Sequence, residues 1–272
     1  MNQAIGVIDS GVGGLTVAHE LMRQLPRETL IYLGDTLRCP YGPRSEEEVR
    51  KFTWEMVDFL LEKDIKMLVV ACNTATAFTL AELQEKLDIP VIGVIQPGAR
   101  AAIKFTQNSN VGVIGTEGTI RSGAYTTALY NINLDIHVNA LACPLFVPMV
   151  EQGILSGPKA KEVVEESLTT LLEDKQIDTL ILGCTHYPLI KDTIQDVIGD
   201  KVMVISSSEE TAREASTILE FRNLLNTATS SNPRHQFYTT GELNIFSKIA
   251  GSIFNESMDN FTTVTIEKAV IQ

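Results

Sequence analysis

No apolar run in this 272-residue sequence is long enough to cross a bilayer. The longest, such as Met67 to Cys72, falls far short of the roughly 20 residues that a spanning helix needs. The opening Met-Asn-Gln-Ala-Ile-Gly lacks the basic start and long apolar core of a secretory signal. A cytoplasmic protein without membrane association is therefore expected. Cysteine is scarce, at Cys39, Cys72, Cys143 and Cys184, and no Cys-x-x-Cys pair occurs. Thiols in the cytoplasm stay reduced, so a disulfide framework is not expected, and neither a thioredoxin-like nor a paired-cysteine zinc role has support. Basic residues are outnumbered, 22 Lys and Arg against 34 Asp and Glu, for a net charge of −12. Such a chain repels polyanions, and no Lys/Arg cluster interleaves with aromatics, so nucleic acid is not an expected partner. Walker-type loops, His-Glu-x-x-His and Gly-x-Ser-x-Gly are missing, which removes the usual signatures of nucleotide hydrolysis, zinc proteolysis and serine hydrolysis. Neither a metal nor a cofactor is called for.

What remains is an ordinary soluble composition, 44% hydrophobic and 21% charged. Short Val/Ile/Leu-rich runs alternate with longer amphipathic ones, the pattern of βα units around a parallel sheet buried on both faces. Strands are predicted at Ile5–Asp9, Leu30–Leu33, Met67–Ala71, Val91–Val94, Val111–Ile114, Asp135–Asn139, Thr179–Leu182, Val202–Ile205 and Gln236–Thr239. Ser45-Glu-Glu-Glu48 reads as a capping box opening a helix whose apolar face carries Val49, Phe52, Met56, Val57 and Leu60. Pro158 reads as the first-turn proline of another helix. Asn226 to Pro233 reads as a polar surface loop, and a helix is expected after Gly241.

Two segments of the chain repeat one another. Leu68-Val-Val-Ala-Cys72-Asn73-Thr74 and Leu180-Ile-Leu-Gly-Cys184-Thr185-His186 are both apolar runs ending in a cysteine followed by small polar residues, 112 residues apart. Ala4-Ile-Gly-Val-Ile-Asp9-Ser10-Gly11 parallels Asn110-Val-Gly-Val-Ile-Gly115-Thr116-Glu117, 106 residues later. Ile89 to Ile95 parallels Lys201 to Ile205. The period is too long for a solenoid, whose units run about 20–50 residues. Duplicated lobes are the better reading: an α/β protein of two pseudo-symmetric lobes, each a mostly parallel sheet flanked by helices, with the active site in the cleft between them. The turn signal Gln96-Pro97-Gly98 and the serines at 206–208 set the expected division, 1–97 plus 208–272 for lobe one and 98–207 for lobe two. The tail is expected to return and complete lobe one.

In open α/β sheets ligands bind at the carboxyl ends of the strands. Asp9-Ser10-Gly11, Asp35, Cys72-Asn73-Thr74 and Cys184-Thr185-His186 all fall at such ends. Gly11-Val12-Gly13-Gly14 departs from the dinucleotide fingerprint, with Thr16 where the third glycine belongs. Its amide groups at a helix start suit a carboxylate instead. Only a few per cent of an ordinary cysteine, with a pKa near ~8.5, is thiolate at neutral pH, so a working thiol needs help. Helix starts after Cys72 and Cys184, His186 beside Cys184, and Asp9 on the strand adjacent to Cys72 offer that help. Two thiols presented alike by related lobes flank one substrate from opposite sides, the arrangement needed to take a proton from one face of a carbon and return one to the other. Cys39 and Cys143 lack this symmetry.

Asp9-Ser10-Gly-Val-Gly-Gly, Asp35 to Tyr41-Gly42, Ala71-Cys72-Asn73-Thr74-Ala75 and Gly183-Cys184-Thr185-His186-Tyr187-Pro188, in this order, resemble the glutamate racemases of bacterial cell-wall synthesis. The resemblance runs from about Ile5 to Gly241. It implies cofactor-independent interconversion of L-glutamate and D-glutamate by two bases, with Cys184 taking the α-proton of the L enantiomer, Cys72 that of the D enantiomer, and Asp9 and His186 assisting the thiols. It further implies that Ser10, Tyr41, Gly42, Asn73, Thr74 and Thr185 hold the substrate, that Glu151 belongs to the site, and that the protein is a homodimer. Two other readings stay open on the residues: a related two-cysteine racemase acting on aspartate or a hydantoin, and a non-catalytic two-lobed sensor of a small molecule.

Overall fold

The structure, a computed structural model, describes residues 3–173, 176–227 and 233–254, with the backbone of 265–268. Two parallel sheets form from the repeated units. The first holds β1 (Ala4–Asp9), β2 (Leu30–Gly34), β3 (Ile65–Val70) and β4 (Val91–Gly93). The second holds β5 (Asn110–Gly115), β6 (His137–Ala142), β7 (Thr179–Gly183) and β8 (Met203–Ser206). Their orders, β2-β1-β3-β4 and β6-β5-β7-β8, are the same order of equivalent strands. The duplication inferred from sequence is thus present in the topology. The tail adds β9 (Gln236–Thr239) beside β2 and β10 (Thr265–Lys268) beside β9, both parallel and both in the first sheet. The tail does return to lobe one, and β10 is a strand the sequence pattern did not signal.

Helices cover both sheets: α1 (Leu15–Gln24), α2 (Glu46–Leu61), α3 (Asn73–Lys86), α4 (Ile95–Phe105), α5 (Glu117–Arg121), α6 (Ala124–Tyr130), α7 (Phe146–Glu151), α8 (Pro158–Glu173), α9 (Lys191–Ile198), α10 (Ser207–Phe221) and α11 (Leu243–Phe254). The capping box at Ser45 and Glu48 forms as expected, each side chain accepting from the other's backbone N–H. β1, β2, β3 and β7 are buried along their whole length, which explains their unbroken apolar runs. Each such Val, Leu or Ile contributes roughly 1.5–3 kcal/mol on burial, so these strands dominate the core.

Three expectations need correction. The strand predicted at Asp135–Asn139 begins two residues later and ends at Ala142. It is the edge strand of its sheet, with every residue at least partly exposed, so no apolar run marks its limits. Asp135 lies instead in a turn, its N–H bonded to Asn133 Oδ1. Gln96-Pro97-Gly98 is no turn but the start of α4, where proline lacks only an N–H that has no intrahelical partner. Cys72 is indeed the residue before a helix, α3, but Cys184 opens a turn and a short 3-10 segment, Tyr187–Ile190, before α9 begins. Pro188 and the bond from Tyr187 N–H to Cys184 C=O shape that segment. The expected loop at 226–233 lies partly outside the described residues.

The chain passes between the sheets twice, from β4 into α4 and from β8 into α10. At each crossing the helix packs with the sheet to which the chain is passing. Ile95, Ala99 and Ala102 of α4 join Val111, Val113 and Ile181 of the second sheet, and Ala212, Ala215 and Leu219 of α10 join Ile5, Val7 and Met67 of the first. The carboxyl ends of both sheets therefore meet at one cleft.

Candidate active site

Ser10 extends β1, and its hydroxyl accepts a hydrogen bond from Cys72 Sγ at 3.4 Å. Cys72 itself accepts from Ala75 N–H in the first turn of α3, also at 3.4 Å. The thiol is therefore an N-cap, a position at which the helix end favours negative charge. Burial works against that charge and pushes the Cys72 thiol up to about 12, with the Asp9 carboxylate adding to the effect and Ser10 and Ala75 opposing it. In this closed arrangement the thiol form is stable.

Asp9 is completely buried at the end of β1. Its Oδ2 accepts from Gly11 N–H at 2.9 Å, and its Oδ1 accepts from the Thr185 hydroxyl of the other lobe at 3.1 Å. The glycine-rich amide cradle thus holds a carboxylate, as its composition suggested, but the carboxylate is the protein's own. Gly14 is required for this: a β-carbon there would lie 2.4 Å from Asp9 Cβ. Burial raises the Asp9 carboxyl above the usual range, while the charge of His186 and the bonds from Gly14, Gly11 and Thr185 pull it down. Asp9 thus acts on Cys72 through its charge, and the hydroxyl contact comes from Ser10.

In the second lobe His186 lies between a thiol and a carboxylate. Its Nδ1 is 3.8 Å from Cys184 Sγ, and its Nε2 is 2.6 Å from Glu151 Oε1 at the end of α7. Burial disfavours the charged ring, but the contacts with Cys184, Cys39 and Glu151 prevail and hold its pKa well above the ordinary value. Burial works to raise the carboxyl of Glu151, whose side chain is 26% exposed, but the bond and charge of His186 together with bonds from Val12 N–H and Cys39 hold it below its ordinary value. The carboxylate at Nε2 holds the ring with Nδ1 facing Cys184 Sγ, an arrangement suited to proton exchange between them and built like a nucleophile, a base and an orienting acid.

Cys72 and Cys184 line one narrow cavity together with Ser10, Tyr41, Gly42, Asn73, Thr74, Thr185 and His186. Every residue that the resemblance assigned to holding the substrate lines it, whereas Asp9, expected to assist the thiols, does not. Glu151 is behind His186 and does not line it. Tyr41 turns its hydroxyl away, donating to Asp35 Oδ2 at 2.5 Å, so it offers the cavity its ring and backbone only. Asn73 Oδ1 accepts from the Tyr125 hydroxyl at 2.7 Å, leaving its buried Nδ2 without a protein partner and free to donate to a ligand. Pro40, Thr116 and Val147 complete the lining. The sequence pointed to none of them as site residues, although the repeat carried a signal for one: Thr116 is the counterpart of Ser10.

Opposite lobes are joined across the mouth. Gly118 N–H donates to Gly42 C=O at 2.9 Å, and the Thr74 and Thr116 hydroxyls are 2.8 Å apart. Gly42 permits the approach, since a β-carbon there would lie 2.6 Å from Thr116 Cβ. The larger surface depression bordered by His19, Lys104 and Arg213 contains no cysteine.

The two thiols stand at equivalent strand ends of duplicated α/β lobes, and the Asp/Glu/Hydantoin racemase family model matches residues 5–215; the chain belongs to that family. Its relatives narrow the assignment. It is 70% identical over 271 residues to the glutamate racemase of Oceanobacillus iheyensis, a match covering 100% of this chain and 98% of that one. A crystal structure of a glutamate racemase isoform from Bacillus anthracis superposes with a TM-score of 0.92 at 50% identity, covering 98% of this chain and 97% of the other. A glutamate racemase from Francisella tularensis, solved in complex with D-glutamate, gives a TM-score of 0.88 at 36% identity over 100% and 98% of the two chains. Within the family this chain groups with the glutamate racemases.

Proposed function

We propose that this chain interconverts L-glutamate and D-glutamate by two-thiol proton transfer, with no cofactor, and supplies D-glutamate for peptidoglycan. The observation that carries the reading is the pair Cys72 and Cys184, presented by equivalent strand ends to one cavity from opposite lobes. A substrate α-carbon held between them has one thiol on each face. Starting from L-glutamate, Cys184 as thiolate removes the α-proton while the Cys72 thiol delivers its own proton to the opposite face. From D-glutamate the roles exchange. His186 and Glu151 stabilise the Cys184 thiolate, and Asp9 with Ser10 governs the proton of Cys72. Asn73 Nδ2, Ser10, the Thr74 and Thr185 hydroxyls and the backbone around Gly42 hold the carboxylates and ammonium group. No arginine lines the cavity, so these neutral donors carry the recognition. Positioning between two fixed thiols and general acid–base transfer supply the acceleration.

The cavity is closed by bonds between lobes, so entry of glutamate requires those bonds to part at the mouth and re-form behind the substrate. The moving bodies in this reading are 1–97 plus 208–272 and 98–207, turning about the two chain crossings. The protein works in the cytoplasm as a homodimer. No helix among the described residues is long and apolar enough to cross a membrane, in keeping with that location.

Circular dichroism of a glutamate solution tests the reading directly. Each thiol is base in one direction and acid in the other, so Cys72→Ala and Cys184→Ala must each abolish racemisation in both directions while leaving the fold intact. Near wild-type racemisation by either folded variant refutes the two-thiol assignment, and activity on aspartate or a hydantoin but not glutamate moves the substrate within the family.

A further inference from the structure

A third thiol converges on the imidazole–carboxylate pair behind the cavity. Cys39 Sγ lies 3.7 Å from Glu151 Oε1, and one ligand atom from each of Cys39, Glu151 and His186 lies within 4.8 Å of the others. The backbone leaves room for them at Gly11, where a β-carbon would lie 2.9 Å from Glu151 Oε1 and 3.0 Å from Cys39 Sγ. Cys39 and Glu151 are partly exposed while His186 is buried, so the cluster has a solvent side and an inner side. Cys39 has no part in the proton transfer described above.

We propose that Cys39, Glu151 and His186 bind a zinc ion, with water as the fourth ligand, and that zinc bound there stops Cys184 from acting as a base. The donor set is one sulfur, one imidazole nitrogen and one carboxylate oxygen, the ligand types zinc prefers, with a position left open. Zinc–ligand bonds of about 2.0–2.3 Å in a tetrahedron place neighbouring donors roughly 3.3–3.6 Å apart. The sulfur–oxygen separation of 3.7 Å is already close to this. The Nε2–Oε1 separation of 2.6 Å is that of a hydrogen bond and has to widen by somewhat under ~1 Å as the ion replaces the shared proton. Zinc takes the Nε2 lone pair, the proton that Nε2 shared with Glu151 passes through solvent to Nδ1, and the Cys39 proton leaves to solvent. A protonated Nδ1 faces Cys184 Sγ and cannot accept its proton. No electron transfer is involved.

The inhibitory half rests on the proposed racemase reading, whereas the binding half does not, and the test separates them. In the Cys72→Ala/Cys184→Ala protein, Cys39 and the core residue Cys143 are the remaining thiols. Cobalt(II) added to it is expected to give a near-ultraviolet cobalt–thiolate charge-transfer band, displaced by zinc and lost when Cys39→Ser is added. Absence of the band, or a band that survives Cys39→Ser, overturns the site. In the protein with both cavity thiols present, zinc is expected to inhibit glutamate racemisation reversibly, with chelator restoring the rate. Cys39→Ser should raise the zinc concentration for half-inhibition at least ~10-fold, since even outer-shell changes at metal sites cost that much. Equal zinc sensitivity of wild type and Cys39→Ser overturns the control of Cys184.

Discussion

Replacing Glu151 by Gln keeps the size of the side chain and an oxygen able to accept from His186 Nε2–H, and removes only the negative charge. The contact is short, 2.6 Å, with the ring 2% exposed and the carboxylate 26% exposed. A charged hydrogen bond contributes roughly 1.5–3 kcal/mol, and partial exposure of Glu151 places this one in the lower half, about 1.5–2 kcal/mol. If the bond supports the imidazolium formed as Cys184 loses its proton, the transition state loses that amount, which is about a 10- to 30-fold fall in kcat/KM. Enantiomers have equal free energies in water, so the equilibrium constant is one and kcat/KM must fall by the same factor in both directions. The asymmetry has to appear in the separate constants. With L-glutamate bound, Cys184 is already the thiolate that the imidazolium supports, so bound state and transition state lose alike and most of the loss should appear as a raised KM. With D-glutamate bound, Cys184 is the thiol, the support is made only on the way to the transition state, and kcat should carry most of the loss. Initial rates by circular dichroism from each pure enantiomer give all four constants. A kcat/KM within about twofold of wild type, or a larger kcat loss from L-glutamate, would refute the assignment of Glu151 to Cys184 through His186.

In D2O, pure L-glutamate should yield D-glutamate carrying solvent deuterium while the early L pool stays protiated, by mass spectrometry of the resolved enantiomers; rapid deuteration of the L pool before product appears would indicate a single shared base. His235 is buried beside Leu30 N–H, and burial pushes its pKa down to about 4, below the ~6.5 of an unfolded histidine. The unfolded chain therefore binds the proton more readily, so stability is full above about pH 6.5 and falls as pH drops toward 4, by up to about 3 kcal/mol from this group. His235→Gln should flatten denaturant midpoints across that window, and an unchanged pH slope would count against it. Lys66 and Glu28 form a buried ion pair at 2.5 Å that also holds Leu224 C=O and Asn226 N–H. Lys66→Met leaves Glu28 buried without its cation and should cost about 3–5 kcal/mol in urea unfolding, and a loss under about 1 kcal/mol would show the pair to be replaceable.

Local pattern carried the sheets and the thiols. Buried parallel strands require unbroken Val/Ile/Leu runs, and the repeat of two such runs that end in cysteine is enough to indicate two lobes and two opposed thiols. Where burial was incomplete the pattern failed, as at edge strand β6, whose half-exposed residues leave no run to read. Local pattern also could not tell a proline turn from a proline that starts a helix, so Gln96-Pro97-Gly98 misled. Only tertiary structure decided the pairings between lobes. Asp9 meets Thr185 across 176 positions of sequence, Cys39 meets Glu151 across 112, and Thr74 meets Thr116 across the mouth. The same held for hydroxyl direction: Tyr41 bonds to Asp35 because that carboxylate lies buried within reach, and Asn73 is left with one free donor because Tyr125 takes its oxygen. Side-chain chemistry and strand periodicity are properties of the chain itself, whereas partners brought together by packing of distant segments exist only once the two sheets have folded against a common cleft.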